Sequence, residues 1–145
     1  NTTSTRKINK GEKYMQVEVE INSTHIIDNT QESEKNKCTG EITYYNKGAI
    51  LEFTEKHEEQ ELKFKMSILE NKIITYRNNQ SLIFDLEHKS KSALTTPYGE
   101  IKINVTTKKI NIVKSQEQIK EINLEYEIEL ENGMKYDNLV DIVVK

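Results

Sequence analysis

From Tyr14 onward apolar and polar residues alternate with a period of two. Val17, Val19 and Ile21 are separated by Glu18 and Glu20. Cys38, Gly40, Ile42 and Tyr44 then alternate with Thr39, Glu41 and Thr43, and Ala49, Leu51 and Phe53 continue beyond the turn signal Asn46-Lys47-Gly48. Leu62, Phe64, Met66 and Ile68 alternate with lysines and Ser67; Ile73 to Arg77 is a short β-rich run; Leu82, Phe84 and Leu86 follow the two-residue turn signal Asn78-Asn79. Each run has the spacing of a strand with one face buried and one in water. Residues 28–36 and 89–96 are polar and irregular and are expected as loops, as is 116–120.

A longer strand is expected after the only proline, Pro97, with Ile101, Ile103 and Val105 on one face. Its apolar parity then switches to Ile110 and Ile112, which predicts a bulge between Thr106 and Lys109. Ile122, Leu124, Tyr126, Ile128 and Leu130 give the clearest alternation, and Asn132-Gly133 predicts a hairpin into a last strand from Met134 to Val144. No stretch carries a helical stripe. The expectation is an all-β, antiparallel up-and-down barrel of about eight to ten strands, because closure removes the edges that a flat meander leaves exposed. A two-sheet sandwich is the alternative.

Residues 1–14 are expected as a polar tail ahead of a single domain at 15–145. Lys10-Gly11-Glu12-Lys13-Tyr14 reads back into a purine-rich, ribosome-binding stretch of codons before Met15, which makes Met15 a candidate natural start; a genuine flexible tail is the alternative. The charged share of 31% and the hydrophobic share of 34% suit a one-layer closed sheet, in which every second residue faces water. The formal charge is −3, and the tail holds Arg6, Lys7, Lys10 and Lys13 against Glu12 alone, so the body is more acidic still. No nucleic-acid partner is expected on that balance. Cys38 is the single cysteine, so neither an internal disulfide nor a cysteine metal cluster is available. No apolar run is long enough for a helical membrane span. A cytoplasmic protein with no membrane partner and no cofactor is expected.

The chain shows no phosphate loop, nucleophile elbow or zinc-protease pair. His25, His57 and His88 are too scattered for a local metal site. His88 extends the Leu82–Phe84–Leu86 face toward a barrel mouth. Arg77 shares a face with Ile73 and Thr75; if that face is inward, the guanidinium needs a carboxylate or an anionic ligand. Tyr44, Tyr98 and Tyr126 offer hydroxyls inside or at the mouth, although such tyrosines more often fill a core. Thr96 and Thr107 are expected to tie the turn and the bulge through their hydroxyls.

The stretch Thr96-Pro97-Tyr98-Gly99-Glu100-Ile101, the later Thr107 and Leu124-Glu125-Tyr126-Glu127-Ile128 together resemble the DUF1934 (YwiB-like) family of bacterial proteins. Gly40 to Tyr45, Leu51 to Glu55 and Ile73 to Arg77 agree in the same order, and the resemblance covers roughly 15–144. It implies a calycin-like barrel, related in shape to lipocalins, and no assigned reaction. The leading expectation is a non-enzymatic barrel that binds a small, partly apolar or anionic ligand at its open end, through Arg77, Tyr98, Tyr44, Tyr126 and His88. A protein-interaction or structural barrel with a filled interior is the second reading, and a small enzyme at the barrel mouth the third.

Overall fold

The structure is a computed structural model and describes residues 5–6, 13–57, 59–78 and 80–145. Its strands are β1 (Thr5–Arg6), β2 (Lys13–Ile27), β3 (Thr30–Tyr45), β4 (Gly48–His57), β5 (Gln60–Leu69), β6 (Lys72–Arg77), β7 (Gln80–Asp85), β8 (Ser90–Thr96), β9 (Gly99–Ser115), β10 (Gln118–Leu130) and β11 (Lys135–Val144). β2 to β11 form one antiparallel sheet in the order β7-β6-β5-β4-β3-β2-β11-β10-β9-β8, and β1 adds to β2. The described residues contain no helix. Every ladder joins strands adjacent in the chain except that of β2 with β11, and β7 and β8, adjacent in the chain, are the two ends of the order. The sheet curls until β7 and β8 meet, so the expected up-and-down barrel is present and nearly closed. The tail expected at 1–14 lies outside the described residues, apart from Thr5–Arg6, Lys13 and Tyr14.

The predicted alternation decides which face is inside. Val19, Ile42, Leu51, Met66, Ile73, Phe84, Val105, Ile122 and Ile142 are almost wholly buried on one face and fill the barrel. Burying a side chain of that size stabilises the fold by ~1.5–3 kcal/mol. The expected bulge falls at Lys108: Glu125 pairs with Lys109 and Tyr126 with Thr107, leaving Lys108 unmatched. That extra residue switches the inward parity of β9 from Thr107 to Ile110.

The two ends differ. At one, the turns contain Asn46, Asn71 and Gln116, and the inward residues Met15, Ala49, Ile68, Ile73, Ile119 and Ile122 are buried. This Asn46 end is packed over most of its width, with a pocket of about 230 Å³ between Met15, Tyr44, Ile119 and Val144. At the other, the turns contain Asn29, Asn78, Tyr98 and Gly133. Inward-facing Arg77 and Ile101 are exposed there, and Cys38, Leu62, Leu94 and Tyr136 are half-buried. This Tyr98 end is open to solvent.

The three segments expected as loops are largely strand. Residues 28–36 make a two-residue turn, with Asp28 and Asn29 at φ 45 and 68, and the start of β3. Residues 89–96 contain β8, and 116–120 shrink to a turn at Gln116–Glu117 with both φ values positive. β3 starts without apolar residues because it pairs there with β2 alone: its ladder with β4 runs only from Gly40↔Phe53 to Tyr45↔Gly48. β8 carries serines because it meets β7 through side chains. Ser90 Oγ donates to the Ile83 carbonyl at 2.5 Å and Ser92 Oγ to the Ser81 carbonyl at 2.6 Å.

Candidate functional site

Four inward residues line up across the Tyr98 half of the barrel. The ladder sets His25 of β2 opposite Asn138 of β11, Asn138 opposite Tyr126 of β10, and Tyr126 opposite Thr107 of β9. Asn138 is 1% exposed, Thr107 8% and Tyr126 9%. His25 Nδ1 and Asn138 Oδ1 are hydrogen-bonded. Asn138 Nδ2 and Thr107 Oγ1 are buried with no hydrogen-bond partner. Whichever way the amide is turned, the contact with His25 occupies one of its ends and leaves the other unpartnered. A buried polar atom in that state costs ~1–3 kcal/mol. Two such atoms on either side of one tyrosine are a concentrated expense in an otherwise apolar interior.

Burial holds the Tyr126 phenol well above its ordinary range, with Tyr136 adding to the shift and Arg77 opposing it. The Tyr126 ring packs on Phe84, centroids 4.5 Å apart. Arg77 sits at the end of β6 opposite Phe64, with its side chain 48% exposed. It faces Glu55, 4.0 Å away and only 12% exposed, and Asn36 Nδ2 donates to Glu55 Oε2 at 3.4 Å. Burial, then the charge of Glu55, raises the pKa of the half-buried Cys38 thiol and favours its neutral form. The inward Arg77 has thus found the carboxylate that its position requires.

The five sequence candidates do not form one site. Arg77 and Tyr126 lie in the Tyr98 half, close enough to interact electrostatically. Tyr98 belongs to the same end but is 99% exposed on the β8–β9 turn and stands clear of the interior. Tyr44 lies at the Asn46 end, lining the small pocket there, and its hydroxyl accepts the Ile119 N–H at 2.8 Å and ties β3 to β10. His88 is exposed in the β7–β8 connection, beside Asp85 and Glu87. Thr96 ties its turn as expected, donating to the Gly99 carbonyl at 2.7 Å and accepting the Tyr98 N–H at 3.2 Å. Thr107 does not: its hydroxyl is unpartnered. Sequence reasoning missed Asn138, His25 and Glu55 as a group. A signal for Asn138 was available, since it holds an inward position in β11 where Val140, Ile142 and Val144 are apolar.

A second feature lies in the wall. Beyond Gly40↔Phe53, β3 stays with β2 and β4 stays with β5, so the two ribbons part. At the foot of the resulting fork, by Thr39, Gly40, Phe53 and Thr54, begins a groove of about 1320 Å³ that runs over the outer face of β2 to β6, past Glu18 and Tyr76. Gly40 stands where the ribbons part, and a Cβ there would lie 2.5 Å from the Glu52 carbonyl oxygen and 2.9 Å from Phe53 Cβ. Only glycine lets the two backbones approach so closely.

Residues 19–142 match the family model described as a domain of unknown function, DUF1934, and the chain belongs to that family. The crystal structure of the ywiB protein from Bacillus subtilis is similar with a TM-score of 0.71, over 94% of this chain and 96% of that one, at 14% sequence identity. At that identity the likeness establishes the fold alone. No curated protein sequence matches the chain.

Proposed function

We propose that this DUF1934 barrel is a non-enzymatic binding module that takes a small, partly apolar ligand through its Tyr98 end. The observation that carries the reading is the pair of buried, unpartnered atoms, Asn138 Nδ2 and Thr107 Oγ1, on either side of Tyr126. Buried polar groups are ordinarily satisfied, and a cluster of exceptions calls for a partner. The amide nitrogen donates, the threonine hydroxyl donates or accepts, and the Tyr126 phenol stays protonated as a further donor. A ligand head rich in acceptors, such as a carbonyl or carboxylate, fits that set. Its apolar part would meet Leu94 and Ile101 at the mouth, and Arg77 adds positive potential there.

Thr107→Val tests the reading, because it removes the orphaned hydroxyl and keeps the shape. The free variant is expected to be more stable than the wild type by ~1 kcal/mol in urea unfolding. Small carboxylates and carbonyl compounds with short apolar chains are expected to raise the melting temperature of the wild type and not that of the variant. If no such compound stabilises the wild type and the variant gains nothing, the row is structural and the reading fails.

A further inference from the structure

The fork leaves a strand edge without a partner. The β2–β3 turn closes at Ile27↔Thr30 through two residues of positive φ, the geometry of a two-residue hairpin. The closing pair of such a hairpin is hydrogen-bonded, so the even residues of β3 bond to β2. The odd residues, Gln31, Ser33, Lys35, Lys37 and Thr39, direct their N–H and C=O groups toward the fork. The β3–β4 hairpin agrees, because it closes at Tyr45↔Gly48 and engages odd residues of β3. By the same alternation Thr54 and Lys56 of β4 face the fork from the other side. Among the described residues no strand pairs with this side of β3 from Thr30 to Thr39.

The two faces of the fork differ in chemistry. The outward side chains include Lys35 and Lys37 of β3, Lys56 of β4 and Lys63 of β5, with Glu61 opposite Lys56. Lys35 and Lys37 each stand 3.7 Å from Glu20 yet are 61% and 72% exposed. The inward side chains are polar toward the open end, with Glu34 and Asn36 of β3 and Asn36 reaching Glu55 of β4 across the fork. They are apolar at its foot, with half-buried Cys38, Leu62 and Phe64 and the buried Phe53, whose ring lies 4.6 Å from that of Phe64. Two copies of this chain joined antiparallel along β3 by a two-fold axis would keep equal faces together. Lys35 and Lys37 of one copy would then lie against those of the other, and the repulsion disfavours that pairing.

We propose that the fork is a docking site for an extended segment of a partner protein, added as a strand along the free edge of β3 in place of the Asn36–Glu55 contact, with acidic residues outward and an apolar residue inward over the Phe53–Phe64 pair. Main-chain bonds to Lys35, Lys37 and Thr39 supply affinity, while the lysines and the Phe53–Phe64 pair select the alternating side chains. The proposal is independent of ligand binding at the Tyr98 end.

The test is titration of the isotopically labelled full chain with a seven-residue, end-blocked peptide of alternating valine and glutamate, against its valine–lysine counterpart. The expected result is amide shifts at Lys35, Lys37, Thr39 and Thr54 with the glutamate peptide and none with the lysine peptide. Lys37→Pro removes an N–H that the fold does not use, at an edge position where proline is tolerated. It is expected to weaken binding at least about tenfold with the melting temperature little changed. K35E/K37E keeps the backbone and is expected to reverse the preference between the two peptides. Shifts confined to other surfaces, absence of binding at about 1 mM peptide, or an unchanged preference in K35E/K37E would overturn the proposal.

Discussion

The barrel wall interrupts its ladder between β7 and β8 and again between β3 and β4, and the two gaps are handled differently. At the first, hydroxyls reach across at 2.5 and 2.6 Å to carbonyls that the ladder leaves free. At the second, the Asn36 amide reaches Glu55 over 3.4 Å and the ladder stays open beyond Gly40↔Phe53. The difference follows from what each strand is tied to. β7 and β8 are joined by the short connection 86–89, and β8 turns small serines inward, so the strands close on one another. β3 and β4 part because β2 carries β3 along β11, as far as Ile26↔Asp137, while β5 carries β4 toward β6. A wall can be closed by side chains where the chain itself holds the edges near; where longer ribbons pull them apart, it stays open.

The largest effect is expected at the apex of the open gap. Gly40→Val places a side chain against the Glu52 carbonyl and Phe53, and urea unfolding should show a loss of about 3 kcal/mol. Destabilisation below about 1 kcal/mol would mean that the ribbons already move apart there. The next effect separates the two gaps directly. Ser90→Ala combined with Ser92→Ala removes two short bonds and should cost ~1–3 kcal/mol, with faster amide exchange confined to β7 and β8. Asn36→Ala removes the long contact at the fork and should cost less than about 0.5 kcal/mol. Equal costs at the two gaps would erase the distinction drawn between them.

The same gaps mark the limits of what the sequence discloses. Alternation locates β2, β4, β5, β10 and β11 and the parity switch at Lys108, because their inward residues must be apolar to fill the barrel. It loses the first part of β3, Thr30 to Asn36, where a strand with neighbours on one side only has no face to bury. It loses β8, where Ser90 and Ser92 hold inward positions that a complete ladder would give to apolar residues. The candidate site is legible in part for a related reason. Arg77 and Tyr126 stand out as polar interruptions of inward runs, and Arg77 demands the partner that Glu55 supplies. Asn138, Thr107 and His25 come together only through register, which places side chains from β2, β11, β10 and β9 in one row although His25 and Asn138 are 113 residues apart. No local pattern encodes that coincidence.

The β2–β11 pairing also governs how the barrel assembles. Every other ladder joins strands adjacent in the chain, but residues 19–26 must find 137–144, and Lys145 exchanges backbone bonds with Glu18 at 2.8 and 2.9 Å. Two meanders, β2 to β7 and β8 to β11, can therefore form by local hairpin closure, yet neither half curls shut until that one distant pair is made. Loop-closure entropy concentrates in this single event, which is expected to set the folding rate. A circular permutant opened at 86–89 and joined by a linker from Lys145 to Lys13 would make every ladder local and should fold faster at similar stability.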